Sequence, residues 1–258
     1  MAAALITGAS SGIGKEFAEL CARDHRDLVL VARSGDRLTE LGERLAHDHG
    51  VGVTVIPLDL AEHGAPETVL KVVEAKGLEV DLLINNAGFG LKGAVAELGA
   101  AEQAGMLELN VVALTVLTRL FLDGMRARGR GAILNVASTA GFQPGPLMAV
   151  YYASKAYVLS FTEALANELA GSGVTATALC PGPTVTGFSA RAGTAGTKLF
   201  RGPKMGARAV AEAGYAAMQA GRPVVIPGLR NKVLAFGVRL GPRKWVTQIA
   251  RGMQETRR

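Results

Sequence analysis

Tyr151 and Lys155 stand four residues apart in a helix-patterned stretch, so both side chains fall on one helix face. That pairing suits acid–base chemistry on a carbonyl. Reducing a ketone takes a hydride from one side and a proton for the developing alkoxide from the other. A free tyrosine, with a pKa near 10, cycles poorly at neutral pH. A lysine cation ~4 Å away, at an effective dielectric of about 20, stabilises the phenolate by about 4 kcal/mol. That corresponds to roughly three pK units and would bring Tyr151 near neutrality. Tyr152 is adjacent, but only Tyr151 is four before Lys155. Ser138 closes a strand-like run, where the end of a parallel strand opens into a site crevice.

A second cluster sits near the N-terminus. Thr7-Gly8-Ala9-Ser10-Ser11-Gly12-Ile13-Gly14 joins a first apolar run to a first helical pattern. Gly8 suits a tight turn, Gly12 a close approach of backbone to a pyrophosphate, and Gly14 close packing of helix on strand. The helix N-terminus offers free N–H groups to the anion. The order strand, glycine loop, helix points to a nucleotide, although the spacing Gly-x₃-Gly-x-Gly differs from the commoner dinucleotide fingerprint. About 20 positions on, where an acid would hold both ribose hydroxyls of NAD, the chain offers Ala32-Arg33-Ser34. A guanidinium and a hydroxyl suit a 2′-phosphate, so NADP(H) is expected over NAD(H). Ser11 and Asp36 weigh against this, since neither adds positive charge.

The elements that must position these residues can be read from the alternation of apolar runs and helical patterns. Strands are expected at Ala4–Thr7, Asp27–Ala32, Val51–Leu58, Asp81–Asn85, Ala132–Ser138, Val174–Cys180 and Pro223–Pro227. Helices are expected at Ile13–Arg23, Asp36–His47, Ala65–Lys76, Ala101–Ala127, Ala149–Ala170 and Ala207–Ala220. Several strands are apolar without alternation, as in parallel sheets covered on both faces. The expected fold is α/β, a Rossmann-like doubly wound parallel sheet of about seven strands with helices on both faces.

These motifs, in this order, resemble the short-chain dehydrogenases/reductases over almost the whole chain, to about Gly228. The resemblance implies that Tyr151 is the proton donor, or the base in oxidation. Lys155 would lower the Tyr151 pKa and bond the nicotinamide ribose, and Ser138 would bond the substrate oxygen. Asn110 looks like the family's helix-interrupting asparagine, which holds a water in the proton relay. The cofactor loop would comprise Gly8, Ser10, Ser11, Gly12, Ile13 and Gly14. Asp59 and Leu60 resemble the adenine-contacting pair, and Asn86-Ala87-Gly88 the segment lining the adenosine side. Pro181, Gly182, Thr184 and Thr186 resemble the loop that receives the nicotinamide, although the family often has Ile or Val where Thr184 stands. The Pro-Gly-Pro-Thr form is similar to a branch that includes acyl-chain and steroid ketoreductases. A homodimer or homotetramer built on the helices at Ala101–Ala127 and Ala149–Ala170 is implied as well. The alternative is a catalytically idle nucleotide sensor or scaffold, recruited through a basic tail.

The substrate side is expected to be apolar. Phe89, Phe142, Leu147 and Met148 should border the reacting carbon, and residues 187–205 should cover it, either as a mobile lid carrying Phe188, Leu199 and Phe200 or as a closure of the core.

Composition narrows the rest. The chain has 258 residues, 49% hydrophobic and 19% charged, which excludes a solvated disordered chain. Cys21 and Cys180 are too few for a disulfide framework, and the four histidines show no ligand spacing, so no metal is expected. Polar residues and prolines interrupt the two long uncharged stretches, and no cleavable leader is evident, so a cytoplasmic location is the expectation. Of the net charge of +6, residues 229–258 carry +7, from eight Lys or Arg against Glu255. The basic character thus belongs to a C-terminal extension rather than to the catalytic domain at 1–228, and nucleic acid is not an expected partner. In that extension Val233, Leu234, Phe236, Leu240, Trp245, Val246, Ile249 and Met253 could form an interrupted apolar face. Gly237, Gly241 and Pro242 would split it into two short helices. Packing on the body or a subunit, and attachment to an anionic membrane surface, both remain open.

Overall fold

The computed structural model describes residues 2–255. Two of the tail's basic residues, Arg257 and Arg258, lie outside that range. The first half of the chain runs β1 (Ala2–Thr7), α1 (Gly12–Arg23), β2 (Asp27–Ala32), α2 (Gly35–His49), β3 (Val53–Pro57), α3 (Ala65–Ala75) and β4 (Glu79–Asn85). It continues through α4 (Ala100–Leu107), α5 (Leu114–Ala127), β5 (Gly131–Val136), α6 (Ala149–Glu168) and β6 (Val174–Leu179). Short elements follow: β7 (Thr184–Val185), α7 (Phe188–Arg191), α8 (Lys198–Arg201) and β8 (Met205–Gly206). The chain closes with α9 (Ala207–Gln219), β9 (Val224–Val225), α10 (Leu229–Gly237) and α11 (Arg243–Gln254).

Seven strands form one parallel sheet in the order β3-β2-β1-β4-β5-β6-β9. The order reverses between β1 and β4, and such a switch point opens a crevice at the carboxyl ends of the strands. Each face of the sheet buries its own apolar layer. One centres on Ile6, Phe17, Leu30 and Ile84; the other on Leu5, Val29, Leu83 and Ile133. Successive strand residues serve opposite layers, which is why these strands read as unbroken apolar runs.

One expected helix proves to be irregular. The stretch at Ala101–Ala127 contains a π-helical segment, Glu108–Ala113, between α4 and α5. The extra residue turns Asn110 inward, where it is fully buried. Ser138 also needs a correction. It stands two residues past the end of β5 and opens a 3₁₀ turn, Thr139–Phe142, with its Oγ accepting from Ala140 N at 3.1 Å. Beyond Gly228, α10 ends at Gly237 and α11 starts after Pro242. Cys21 and Cys180 are both buried, and burial pushes each thiol up to about 12.

Candidate active site

The crevice holds a cavity of about 490 Å³, lined from the ends of β1, β2, β4, β5 and β6. Its floor on one side is the glycine loop. Gly8 and Gly12 have φ of +65° and +57°, a left-handed conformation that glycine adopts without strain. A side chain on Gly14 would strike the Gly8 carbonyl and the Asn86 amide, so only hydrogen lets α1 seat against the loop. Thr7 Oγ1 accepts from the Asn86 and Ala87 N–H groups at 3.0 and 2.9 Å, and Asn86 Nδ2 donates to the Thr7 and Gly8 carbonyls at 2.9 and 3.2 Å. These bonds lock the loop to the end of β4. Ser11 occupies the N-cap position of α1, yet its side chain makes no capping bond. Gly12 and Ile13 therefore bring an uncapped helix N-terminus to the cavity wall, a polarity that favours an anion.

Across the cavity, Thr186 approaches Gly12, so the loop after β6 meets the glycine loop. Pro181, Gly182, Thr184 and Thr186 all line the space, as do Ser10, Leu60, Ala87 and Gly88. Thr184 is buried and donates to the Gly182 carbonyl at 2.9 Å. Asp59 Oδ1 accepts from Ala61 N at 3.0 Å in a turn well before α3, and Asp59 Oδ2 pairs with Arg33 at 3.5 Å. The Arg33 side chain is about half exposed, at 54%. Beside it, Ser34 is the N-cap of α2 and, like Ser11, makes no capping bond. These two serines and the glycine cradle leave uncapped N–H groups and hydroxyls at the cavity, a donor set that fits the phosphates of a nucleotide cofactor.

At the other end, Tyr151 and Lys155 are buried on α6, as the four-residue spacing requires. Tyr151 and Ser138 line the same wall of the cavity, and Ser138 Oγ donates to the Pro181 carbonyl at 3.4 Å. Lys155 Nζ lies 5.9 Å from the centre of the Tyr151 ring and donates to the Val136 carbonyl at 2.7 Å. Burial depresses the Lys155 pKa to about 8. Burial also raises the Tyr151 phenol above its ordinary value, and the nearby Ser138 hydroxyl offsets only part of this. The three-unit acidification expected from a nearby lysine is thus not what these side chains deliver. Desolvation of the phenol sets the direction, and the Lys155 ammonium is turned to a backbone carbonyl.

Gly14 and Asn110 stand behind the cavity wall. Asn110 Oδ1 accepts from Phe89 N at 3.1 Å, while its Nδ2 donates to Phe89 O at 2.9 Å and to Ser154 Oγ at 3.2 Å. It thereby fixes the backbone just after Gly88.

Of the four apolar residues expected around the reacting carbon, only Met148 lines the cavity. Phe142 packs among Leu114, Ala137 and Val158, and the Phe89 ring carries the Arg191 guanidinium at 4.7 Å. Leu147 takes a left-handed φ of +65° and accepts from Gly93 N through its carbonyl. The short helices α7 and α8 bring Phe188, Leu199 and Phe200 to the cavity, the Phe188 ring 5.4 Å from that of Tyr151. The lining residues that the sequence did not point to include Tyr152, Arg191 and Gln254. Gln254, on α11, is fully buried and donates to Tyr152 Oη at 2.7 Å, while its Oε1 has no partner among the described residues. A lone glutamine near the chain end carries no sequence signal for such a position.

Comparison with known proteins agrees with this geometry. Residues 2–195 match the short chain dehydrogenase family. The ketoacyl reductase HetN of Nostoc sp. is 34% identical over 81% of this chain and 74% of its own length. A very-long-chain 3-oxoacyl-CoA reductase of Phaeosphaeria nodorum is 38% identical over 66% of this chain. The chain spans about half the length of that reductase, 51%. Among solved structures, a short-chain dehydrogenase from Sphingobium yanoikuyae in complex with NADPH superposes with a TM-score of 0.83. It is 35% identical, with 93% of this chain and 94% of that one covered.

Proposed function

Because the chain belongs to the short-chain dehydrogenase family, we propose that it interconverts a ketone and a secondary alcohol, with NADP(H) as the hydride carrier and an apolar, acyl-chain or steroid-like carbonyl compound as substrate. The observation that carries this reading is that Tyr151, Ser138 and Lys155 line one cavity, together with the glycine loop that floors it. Two hydroxyls converge there on the place a carbonyl oxygen must occupy. Bound in this cleft, the nicotinamide supplies or accepts the hydride. Ser138 orients the carbonyl oxygen and Tyr151 gives it a proton through Oη. Lys155 would place a buried cation beside the ribose, and its charge offsets that of the phenolate left when Tyr151 gives up its proton. Met148, Phe188, Leu199 and Phe200 exclude water from the reacting carbon and favour an apolar substituent.

Preference for NADP(H) rests on Arg33. It lines the cavity with Ser34 and Arg37, at the end of β2, and its pair with Asp59 is long and solvent-screened. A phosphate dianion would compete well for that guanidinium. Self-association is assigned to the flank of α4–α6, where Leu107, Val112 and Tyr157 remain exposed.

The test follows NADPH oxidation with a panel of ketones running from short aliphatic through 3-oxoacyl thioesters to steroid ketones. Turnover with the bulky apolar members supports the proposal. Tight NADPH binding with no turnover of any member would overturn it in favour of an idle nucleotide sensor.

A further inference from the structure

The helix α10 faces the wrong way for a helix that ends its burial at the protein core. Its inner face presents Asn231, Ala235 and the following Val238 to the body. Leu229, Val233 and Phe236 recur at i, i+4 and i+7 on the opposite side, continued by Leu240 in the next turn. These four are 78%, 62%, 61% and 75% exposed. An amphipathic helix of a globular domain normally turns such a stripe inward. Arg230 flanks the stripe on one side, Lys232 and Arg239 on the other, and all three are exposed. On α11, Trp245 and Ile249 form a second outward pair at i and i+4, 65% and 68% exposed, beside exposed Lys244 and Arg251.

From this pattern we propose that α10 and α11 dock the protein onto an anionic lipid bilayer. Apolar side chains enter the acyl boundary, while lysine and arginine stems reach back to the headgroup phosphates. Each basic residue near such a surface adds attraction, and these five together with Arg243 stand against a single acid, Glu255. A second copy of the chain fits less well. A two-fold contact through this face would set basic flank against basic flank. The inner edge of α11 carries Gln254 in the cavity wall, so the docking surface adjoins the cleft.

The test is co-sedimentation of the full chain with vesicles of phosphatidylcholine alone, or with about 30% phosphatidylglycerol, at low and high salt. Binding is expected only to the anionic vesicles and is lost at high salt. Val233→Ser with Phe236→Ser, and separately Arg230→Gln with Lys232→Gln, should each lower the partition coefficient about tenfold. NADPH binding, measured by fluorescence, should stay unchanged in both variants because the residues are exposed and away from the glycine loop. Failure to bind anionic vesicles overturns the proposal. If light scattering then shows a mass that falls in the serine variant, the face belongs to a second copy. Retention on polyglutamate without vesicle binding would assign it to an acidic protein.

Discussion

Gln254 Nε2 donates to the hydroxyl of Tyr152 at 2.7 Å, joining the last helix of the chain to the residue beside Tyr151. The bond crosses 102 positions of sequence and makes α11 part of the cavity wall. Gln254→Leu keeps the volume and removes the bond, leaving Tyr152 Oη unpaired in a buried site. The expected loss is about 1 kcal/mol, or a fall in Tm of roughly 2–4 °C for a chain of this size. The KM for ketone should rise more than kcat falls, because Gln254 touches neither Tyr151 nor Lys155 directly. An unchanged Tm and KM would show that α11 is not held by this contact.

Tyr151→Phe removes one hydroxyl and leaves the ring against Phe188. Carbonyl reduction should drop at least about a thousandfold, in line with loss of a general acid, while NADPH affinity stays within a few-fold of wild type. Single-turnover kinetics separate the two. Turnover within tenfold of wild type would remove Tyr151 from its role.

Burial sets a pH signature for Lys155. Its pKa in the folded chain is about 8, below the ordinary 10.5. Between those values the unfolded chain holds a proton that the folded chain has released, so stability rises with pH across that window. Below about pH 8 both states are protonated and the full cost of burying the cation remains. The Tm of wild type minus that of Lys155→Met should therefore become more positive from about pH 7.5 to 10. A flat difference would mean that Lys155 titrates normally.

Arg33→Ala tests cofactor choice. A charge-assisted phosphate contact is worth about 1.5–3 kcal/mol, a roughly 10- to 150-fold preference. The variant should raise the KM for NADPH by that factor and leave NADH nearly untouched. Equal use of both cofactors by wild type would exclude Arg33 as the determinant.

Much of this arrangement was legible before any coordinates. Parallel strands covered on both faces are continuous apolar runs, so all seven could be read off, with errors of a few residues at their ends. Local spacing also carries the glycine loop and the Tyr151–Lys155 pair, because the geometry of a turn and of a helix face depends on near neighbours only. The helix interruption at Asn110 was expected from the family resemblance and not from the periodicity. One extra residue in a turn leaves hydrophobic periodicity almost unchanged, and its only trace was Asn110, a polar residue that is wholly buried in an apolar helix.

What local pattern does not carry is where loops and the chain end come to rest. Phe89, Phe142 and Leu147 were expected at the reacting carbon because they are apolar and near the motifs. Their side-chain directions depend instead on the path of two loops, and only Met148 reached the cavity. The ionisation of Tyr151 follows the same logic. Spacing places Lys155 on its face of α6, but burial of the phenol sets the sign of the shift, while Nζ is turned to the Val136 carbonyl. Gln254 reaches Tyr152 only after the sheet, the α7–α8 cover and α11 have packed. Contacts between residues so distant in sequence are fixed by burial of whole surfaces, which no short stretch of residues encodes.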